Sequence, residues 1–245
     1  METKKPRFGP PPRSDFEMAP PSDEEIASFR ENGFLVVERL TSDEEIAWIR
    51  QIFEFVFSPE EAGKFGAPID RTGTREEGEA PNLTQAFHPE FRFPELLRTT
   101  HQRNARRYAA ALLGVEEAEL TSWGHMIRKE PGGRAALWHQ DHAYWEPEFD
   151  YCALGVWLPM HDVDASKAVA CPLAMGGATF HHFQTLHYTA PNIREQPRLA
   201  YPVEFQVKPV RRSEPRDMPW VLERRAVTGD DVPGVYIADG QALPA

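Results

Sequence analysis

From about residue 120 the chain changes texture, and that change limits its folds more than any other feature. Residues 121–129, 151–158, 168–173, 178–183 and 199–207 are short runs rich in β-branched or aromatic side chains, separated by Gly and Pro turns. Strands this short and numerous bury their apolar faces by pairing into a sandwich or barrel. The preceding part reads as helices. Ser22 with Glu25, and Ser42 with Glu45, have capping-box spacing. The first helix should stop at Asn32-Gly33, with a strand over 34–38 after it. The second should bury Ile46, Ile49, Ile52, Phe53 and Val56, and a third, over 96–113, should end at Gly114. The expected fold class is α+β, with N-terminal helices flanking a β-sandwich or barrel.

Before Ser22 lie Pro6, Pro10, Pro11, Pro12, Pro20 and Pro21, so residues 1–21 are expected to be a disordered, Pro-rich leader and 22–245 a single domain. The last stretch is charged and Pro-punctuated, with Trp220 as its aromatic anchor. Thirty-eight acidic against 27 basic residues give a formal net charge of −11. With no Lys/Arg run to build a basic groove, nucleic acid is not expected as a partner. Nor is a membrane: no run approaches the roughly 20 apolar residues of a span, and no signal-peptide core opens the chain. Two cysteines, Cys152 and Cys171, are too few for a disulfide framework, read as buried small apolar groups, and point to the cytoplasm. No heptad indicates an oligomeric state.

Nine histidines carry two His-x-carboxylate pairs, His88-Pro89-Glu90 and His139-Gln140-Asp141. About one or two such pairs arise by chance, so context has to separate them. The first sits among prolines, with no strand to hold it. The second follows Trp138 beside apolar strands, where side chains two apart on an extended strand share a face and can meet one ion. His187, placed at the end of a run that begins at Ala178, is the candidate third ligand. Two His and one carboxylate leave open positions on an octahedral ion, as in non-haem Fe(II) oxygenases. Arg198, next along, would suit a dicarboxylate co-substrate. Each histidine taken singly also reads as a satisfied core residue.

Glu38-Arg-Leu-Thr-Ser-Asp-Glu-Glu, Lys129-Glu-Pro-Gly, Trp138-His-Gln-Asp-His-Ala-Tyr-Trp, Trp157-Leu-Pro-Met-His-Asp-Val-Asp and Leu186-His-Tyr-Thr-Ala-Pro-Asn with Arg198 resemble, in order, the motifs of the phytanoyl-CoA dioxygenase family. The resemblance runs over about 24–207. It implies a double-stranded β-helix (jelly roll) flanked by N-terminal helices, and a mononuclear Fe(II), 2-oxoglutarate-dependent dioxygenase that uses O2, is aided by ascorbate, and hydroxylates an unactivated C–H bond of a small-molecule substrate. By position, His139, Asp141 and His187 match the family's iron ligands. Arg198 matches the Arg gripping the distal carboxylate of 2-oxoglutarate, Thr189 a hydroxyl on that carboxylate, and Trp157 an aromatic lining that pocket. Tyr144 and Trp145 fall near the substrate mouth. Asp141 argues against a halogenase, in which a halide takes the carboxylate's place.

The chain also departs from the pattern. The family's Asn-Gly turn and Pro-Gly-Ser-His stretch have no counterpart, and a segment is missing near 164–168, through a deletion or through chain not included in the sequence. Bland readings stand beside the functional ones: Thr189 capping a turn, Trp157 in the core, Tyr144 and Trp145 packing on the helices, Asp162 and Asp164 in a turn, and His142, His181 and His182 as structural residues. Arg211, Arg212 and Arg216 read as a coenzyme A cradle or a solvated charged tail. Two rival functions remain: a non-catalytic metal-binding jelly roll, and a cupin-like metalloenzyme that needs no 2-oxoglutarate.

Overall fold

The computed structural model describes residues 8–13, 16, 18–61, 69–70, 83–133, 135–162, 171–219 and 221. The missing-segment expectation near 164–168 and the Trp220 anchor lie outside the described residues. In chain order, helix α1 (Asp23–Asn32), strand β1 (Phe34–Val37) and helix α2 (Asp43–Val56) are followed by β2 (Ile69–Asp70), β3 (Leu83–Phe87), the short α3 (Pro89–Arg92) and α4 (Thr100–Leu113). The strand-rich part comprises β4 (Thr121–Lys129), β5 (Ala136–His139), β6 (Phe149–Asp150), β7 (Ala153–Trp157), β8 (Ala178–His182), β9 (His187–Thr189), β10 (Arg198–Ala200), β11 (Val203–Gln206) and β12 (Val210–Arg211).

These strands form a jelly-roll β-sandwich. The large sheet runs β1-β8-β7-β11-β4-β3-β2, all antiparallel, with β10 continuing β11 along the edge of β4. The pairs β5–β9 and β6–β12 make up the rest of the described sheet structure. One face of the large sheet meets the helices: Phe180 of β8 packs on Tyr108 of α4, and the Arg106 guanidinium lies over Phe205 of β11. Leu154, Val156, Phe180, Val203 and Phe205 form this side of the core together with Ile46, Ile49, Ile52 and Phe53 of α2. Each such fully buried side chain contributes about 1.5–3 kcal/mol.

The capping expectations hold, with one difference. At Ser22 both reciprocal bonds form: Glu25 N donates to Ser22 Oγ (3.2 Å), and Ser22 N donates to the Glu25 carboxylate (2.7 Å). Ser42 Oγ likewise accepts from Glu45 N at 3.3 Å. The Glu45 carboxylate is directed elsewhere. Fully buried, it accepts from Thr100 N (2.6 Å), His101 N (2.8 Å) and the Thr41 hydroxyl, so α2 caps the first turn of α4. That helix begins at Thr100 rather than 96, because Thr99 Oγ1 accepts from Gln102 N (3.1 Å) as its N-cap, and residues 94–98 form a 3-10 turn.

Other expectations need correction. The run from Ala178 does not reach His187 as one strand; it turns at Phe183-Gln184, and His187 opens β9 in the other layer. The run 199–207 breaks at Tyr201-Pro202, where proline has no N–H for the ladder. The stretch before His88 contains β3, and residues 171–173 belong to no named strand. Cys152 is exposed, not buried. Within 1–21, Phe8 packs edge-on against Phe55 and Phe93, Trp48 Nε1 donates to Phe8 O (3.1 Å), and Arg107 donates to Met18 O (3.0 Å). Among the described residues, no helix is long and apolar enough to cross a membrane.

The Glu45 bridge generates a test. Glu45→Gln presents an amide N–H2 to backbone donors, and should lower the unfolding free energy by about 1–3 kcal/mol in denaturant titration. Ser42→Ala, which removes one cap bond, should cost about 1 kcal/mol.

Candidate metal centre

Strands β5 and β9 form a short antiparallel ladder in which Ala136 pairs with Thr189 and His139 with His187. Two residues of β5, Leu137 and Trp138, thus oppose one of β9, Tyr188, in a bulge. In regular register Trp138 would face His187, and His139 would point the other way. The bulge leaves Leu137 and Trp138 at the surface, 78% and 55% exposed, with Trp138 stacked on Tyr188. It also sets the two imidazole centroids 4.2 Å apart.

Asp141 opens a 3-10 turn (Asp141–Tyr144) instead of extending the strand, so the +2 spacing works through a turn, not through a shared strand face. Its Oδ1 lies 3.7 Å from His187 Nε2 and 4.0 Å from His139 Nε2. His139, Asp141 and His187 offer donor atoms that all lie within 4.8 Å of one another. Ligands at right angles on an ion with bonds of about 2.1 Å sit about 3 Å apart, so a modest contraction would complete the site. Both rings are in the tautomer a metal requires. His139 Nδ1 donates to Leu137 O (2.6 Å) and His187 Nδ1 to Thr185 O (2.9 Å), which leaves the Nε2 lone pairs facing Asp141.

The electrostatics agree. Burial holds His187 below its usual value and so neutral. Burial acting alone would raise the Asp141 carboxyl, but the His181 contact and electrostatic interaction with the surrounding imidazoles bring it down to about 2. Two imidazoles and one carboxylate are a donor set fitted to a divalent iron ion.

Two basic side chains, Lys129 and Arg198, lie on paired strands next to β9. His187 and Thr189 are two apart on β9 and share a face. The Thr189 hydroxyl accepts from Lys129 Nζ (3.0 Å), so its own proton is free for another acceptor. Lys129, 1% exposed, also donates to Ala190 O (3.0 Å) and pairs across β4–β10 with Arg198. Burial and the Arg198 charge hold Lys129 down to about 7, and burial also lowers Arg198. Among the described residues, no carboxylate pairs with Arg198. Two partly desolvated cations with no counter-ion are costly unless an anion joins them. Sequence reasoning assigned no role to Lys129, although it begins one of the motifs that carry the resemblance.

The remaining candidates separate. Tyr144, 54% exposed, presents its ring to His139 at 6.0 Å. Trp145 stacks on Phe183 (5.2 Å) and edge-on to Tyr151 (4.8 Å), so packing occupies its ring. Trp157 is half-buried at the end of β7, paired with Thr179. His88 stands apart: its Nδ1 is 3.2 Å from Glu90, whose carboxylate accepts from Gly124 N, and its ring stacks on Phe91. Arg212 (2.7 Å) and Arg216 (2.5 Å) pair with Asp150, and Arg211 lies over Phe149. These three arginines therefore do not form a free coenzyme A cradle.

Comparison with known proteins agrees with this geometry. The family model of phytanoyl-CoA dioxygenase (PhyH) matches residues 29–167. The chain belongs to the phytanoyl-CoA dioxygenase family. The class is that of the Fe/2-oxoglutarate oxygenases. EvdO2 from Micromonospora carbonacea var. aurantiaca is 32% identical to this family member, with a TM-score of 0.69 over 82% of this chain and 97% of that one. Its complex with 2-oxoglutarate aligns at 30% identity and TM-score 0.68, over 82% and 97%. SnoK, a non-heme alpha ketoglutarate-dependent carbocyclase from nogalamycin biosynthesis, shares the fold at 20% identity and TM-score 0.64, over 84% of this chain and 94% of its own. A comparison with curated protein sequences returns no match.

In an anaerobic Mn(II) titration, His139→Ala and His187→Ala should each weaken binding by more than about 100-fold, the upper end for losses from outer-sphere changes. His88→Ala should leave it unchanged.

Proposed function

We propose that this protein is a mononuclear Fe(II), 2-oxoglutarate-dependent dioxygenase that hydroxylates an unactivated C–H bond of a small organic substrate. One observation carries the reading: a metal-ready His-Asp-His triad adjoins two cations, Lys129 and Arg198, that meet no carboxylate among the described residues. A jelly roll that only bound metal, or one using no 2-oxoglutarate, would have no use for that second feature.

In this reading His139 Nε2, Asp141 Oδ1 and His187 Nε2 hold the iron. Bound iron supplies the redox chemistry, coupling O2 and decarboxylation of 2-oxoglutarate to succinate and CO2 with insertion of one oxygen atom into the substrate. The Arg198 fork takes the distal carboxylate of the co-substrate bidentately. Thr189, its lone pair occupied by Lys129, donates its proton to the same carboxylate, and Lys129 adds charge from behind. Trp157 would wall the pocket. Tyr144, whose ring lies against His139, would meet the substrate at a rim shared with exposed Leu137, Trp138 and Leu186. An apolar or ring-bearing face on the substrate would fit that rim.

The test is succinate formation with Fe(II), 2-oxoglutarate, O2 and ascorbate, which needs no prime substrate because such enzymes turn over slowly without one. Succinate should appear with the parent and fall to background in His139→Ala. Arg198→Ala should raise the 2-oxoglutarate KM by about 10–100-fold, consistent with about 1.5–3 kcal/mol for a hydrogen bond to a charged group. No succinate together with no anaerobic binding of 2-oxoglutarate to the metal-loaded protein would refute the assignment.

The Lys129 ammonium gives a pH signature. Below pH 7 it is charged and attracts the dicarboxylate; above 7 the empty site loses that charge, and binding must restore it. Affinity for 2-oxoglutarate should therefore fall as pH rises from 7 to 8.5, by at most about tenfold per unit. Lys129→Met should bind more weakly and lose most of that slope, as measured by anaerobic titration.

A further inference from the structure

The triad does not account for one row of side chains beneath it. Strands β8, β7 and β11 place His181, Gly155 and Glu204 directly opposite one another, on the sheet face away from Phe180, Val156 and Phe205. A Cβ at Gly155 would fall 2.6 Å from His181 Nε2, 2.8 Å from His181 Cε1 and 3.1 Å from Glu204 Oε1. The absent side chain is thus what lets the imidazole lie across the strand. So seated, His181 Nε2 is 3.3 Å from Asp141 Oδ2, and its ring centroid is 4.8 Å from that of His187. At 3.3 Å the two atoms face each other without hydrogen-bond geometry, and the buried Oδ2 has no hydrogen-bond partner among the described residues. The two carboxylate oxygens therefore face different neighbours: Oδ1 the two ligand histidines, Oδ2 His181.

We propose that His181 is a positioning residue for the metal: its Nε2–H holds Asp141 Oδ2, leaves Oδ1 as the single coordinating oxygen, and needs glycine at 155 to reach it. The proposal rests on the iron-site reading above and assigns the neighbours of that site a task of their own. A carboxylate free to rotate could take the ion with both oxygens and cover a position that the co-substrate needs. A donor on Oδ2 prevents this, as outer-sphere partners of metal ligands do elsewhere.

The experiment is an anaerobic Mn(II) titration of the full-length protein without 2-oxoglutarate, followed by calorimetry. Thermal melts of the metal-free variants check that they fold. His181→Leu should weaken Mn(II) binding by about 10–100-fold. His181→Gln, whose amide nitrogen can occupy the Nε2 position, should restore it to within about threefold. Gly155→Ala, which keeps His181 but displaces it, should behave as His181→Leu does, and decides the matter if His181→Leu fails to fold. Mn(II) binding in Gly155→Ala and His181→Leu as tight as in the parent would overturn the proposal, as would equal loss in the Leu and Gln variants. Failure of the underlying site reading looks different: the parent itself would not bind Mn(II), or His139→Ala would bind as well as the parent.

Discussion

Successive side chains of a β-strand point to opposite faces, and the large sheet of this protein has to serve two incompatible surroundings at once. On β7, β8 and β11 the residues Leu154, Val156, Phe180, Val203 and Phe205 face the helices and are almost fully buried. The residues between them, Gly155, His181 and Glu204, face the triad. A slip of one residue in β8 or β11 would turn an imidazole or a carboxyl into the hydrocarbon core and a phenyl ring toward the metal. The helices therefore do more than cover the sheet. By taking up one set of alternating positions they fix the register that delivers the other set, and the Glu45 carboxylate, shared between α2 and the start of α4, ties that covering together.

Polar burial on the inner face follows an arrangement of compensations. Glu204 has a carboxyl raised to about 8 by its burial and by Asp141, which keeps it neutral near pH 7. Asp141 ionises easily because three imidazoles surround it. Lys129 and Arg198 lie on neighbouring strands, Lys129 directly linked to the Thr189 hydroxyl on β9. In a chain of net charge −11, such a pocket is a local reversal of sign, one able to hold an anion within an acidic surface.

Much of this was legible in the residues. The Ser22–Glu25 capping box, the Asn32-Gly33 stop, the helix-to-strand change and the length of β4 follow from local preferences, which tertiary contacts left alone. The motif order pointed to His139, Asp141, His187 and Arg198, and the structure brings the first three together beside the fourth's strand partner. Where reading failed, a nonlocal contact decided. The break at Phe183-Gln184 puts His187 into the second layer, and nothing in a continuous apolar run announces such a crossing. His181 looked featureless because its meaning comes from a missing Cβ one strand away. Alternation against Phe180 could have shown which way it points, though not what it meets. Glu45 carried a capping signal that was correct for its own helix and silent about α4.

The β5–β9 ladder has a further consequence. Its described pairing consists of Ala136 with Thr189 and His139 with His187, across a bulge. So short a ribbon has little stability of its own. An ion gripped by His139 and His187 would join the two strands as a covalent crosslink does, closing a loop of chain between positions far apart in sequence. Its occupancy would then govern how firmly the second layer of the sandwich stays shut, so that the catalytic centre would double as a clasp for the fold.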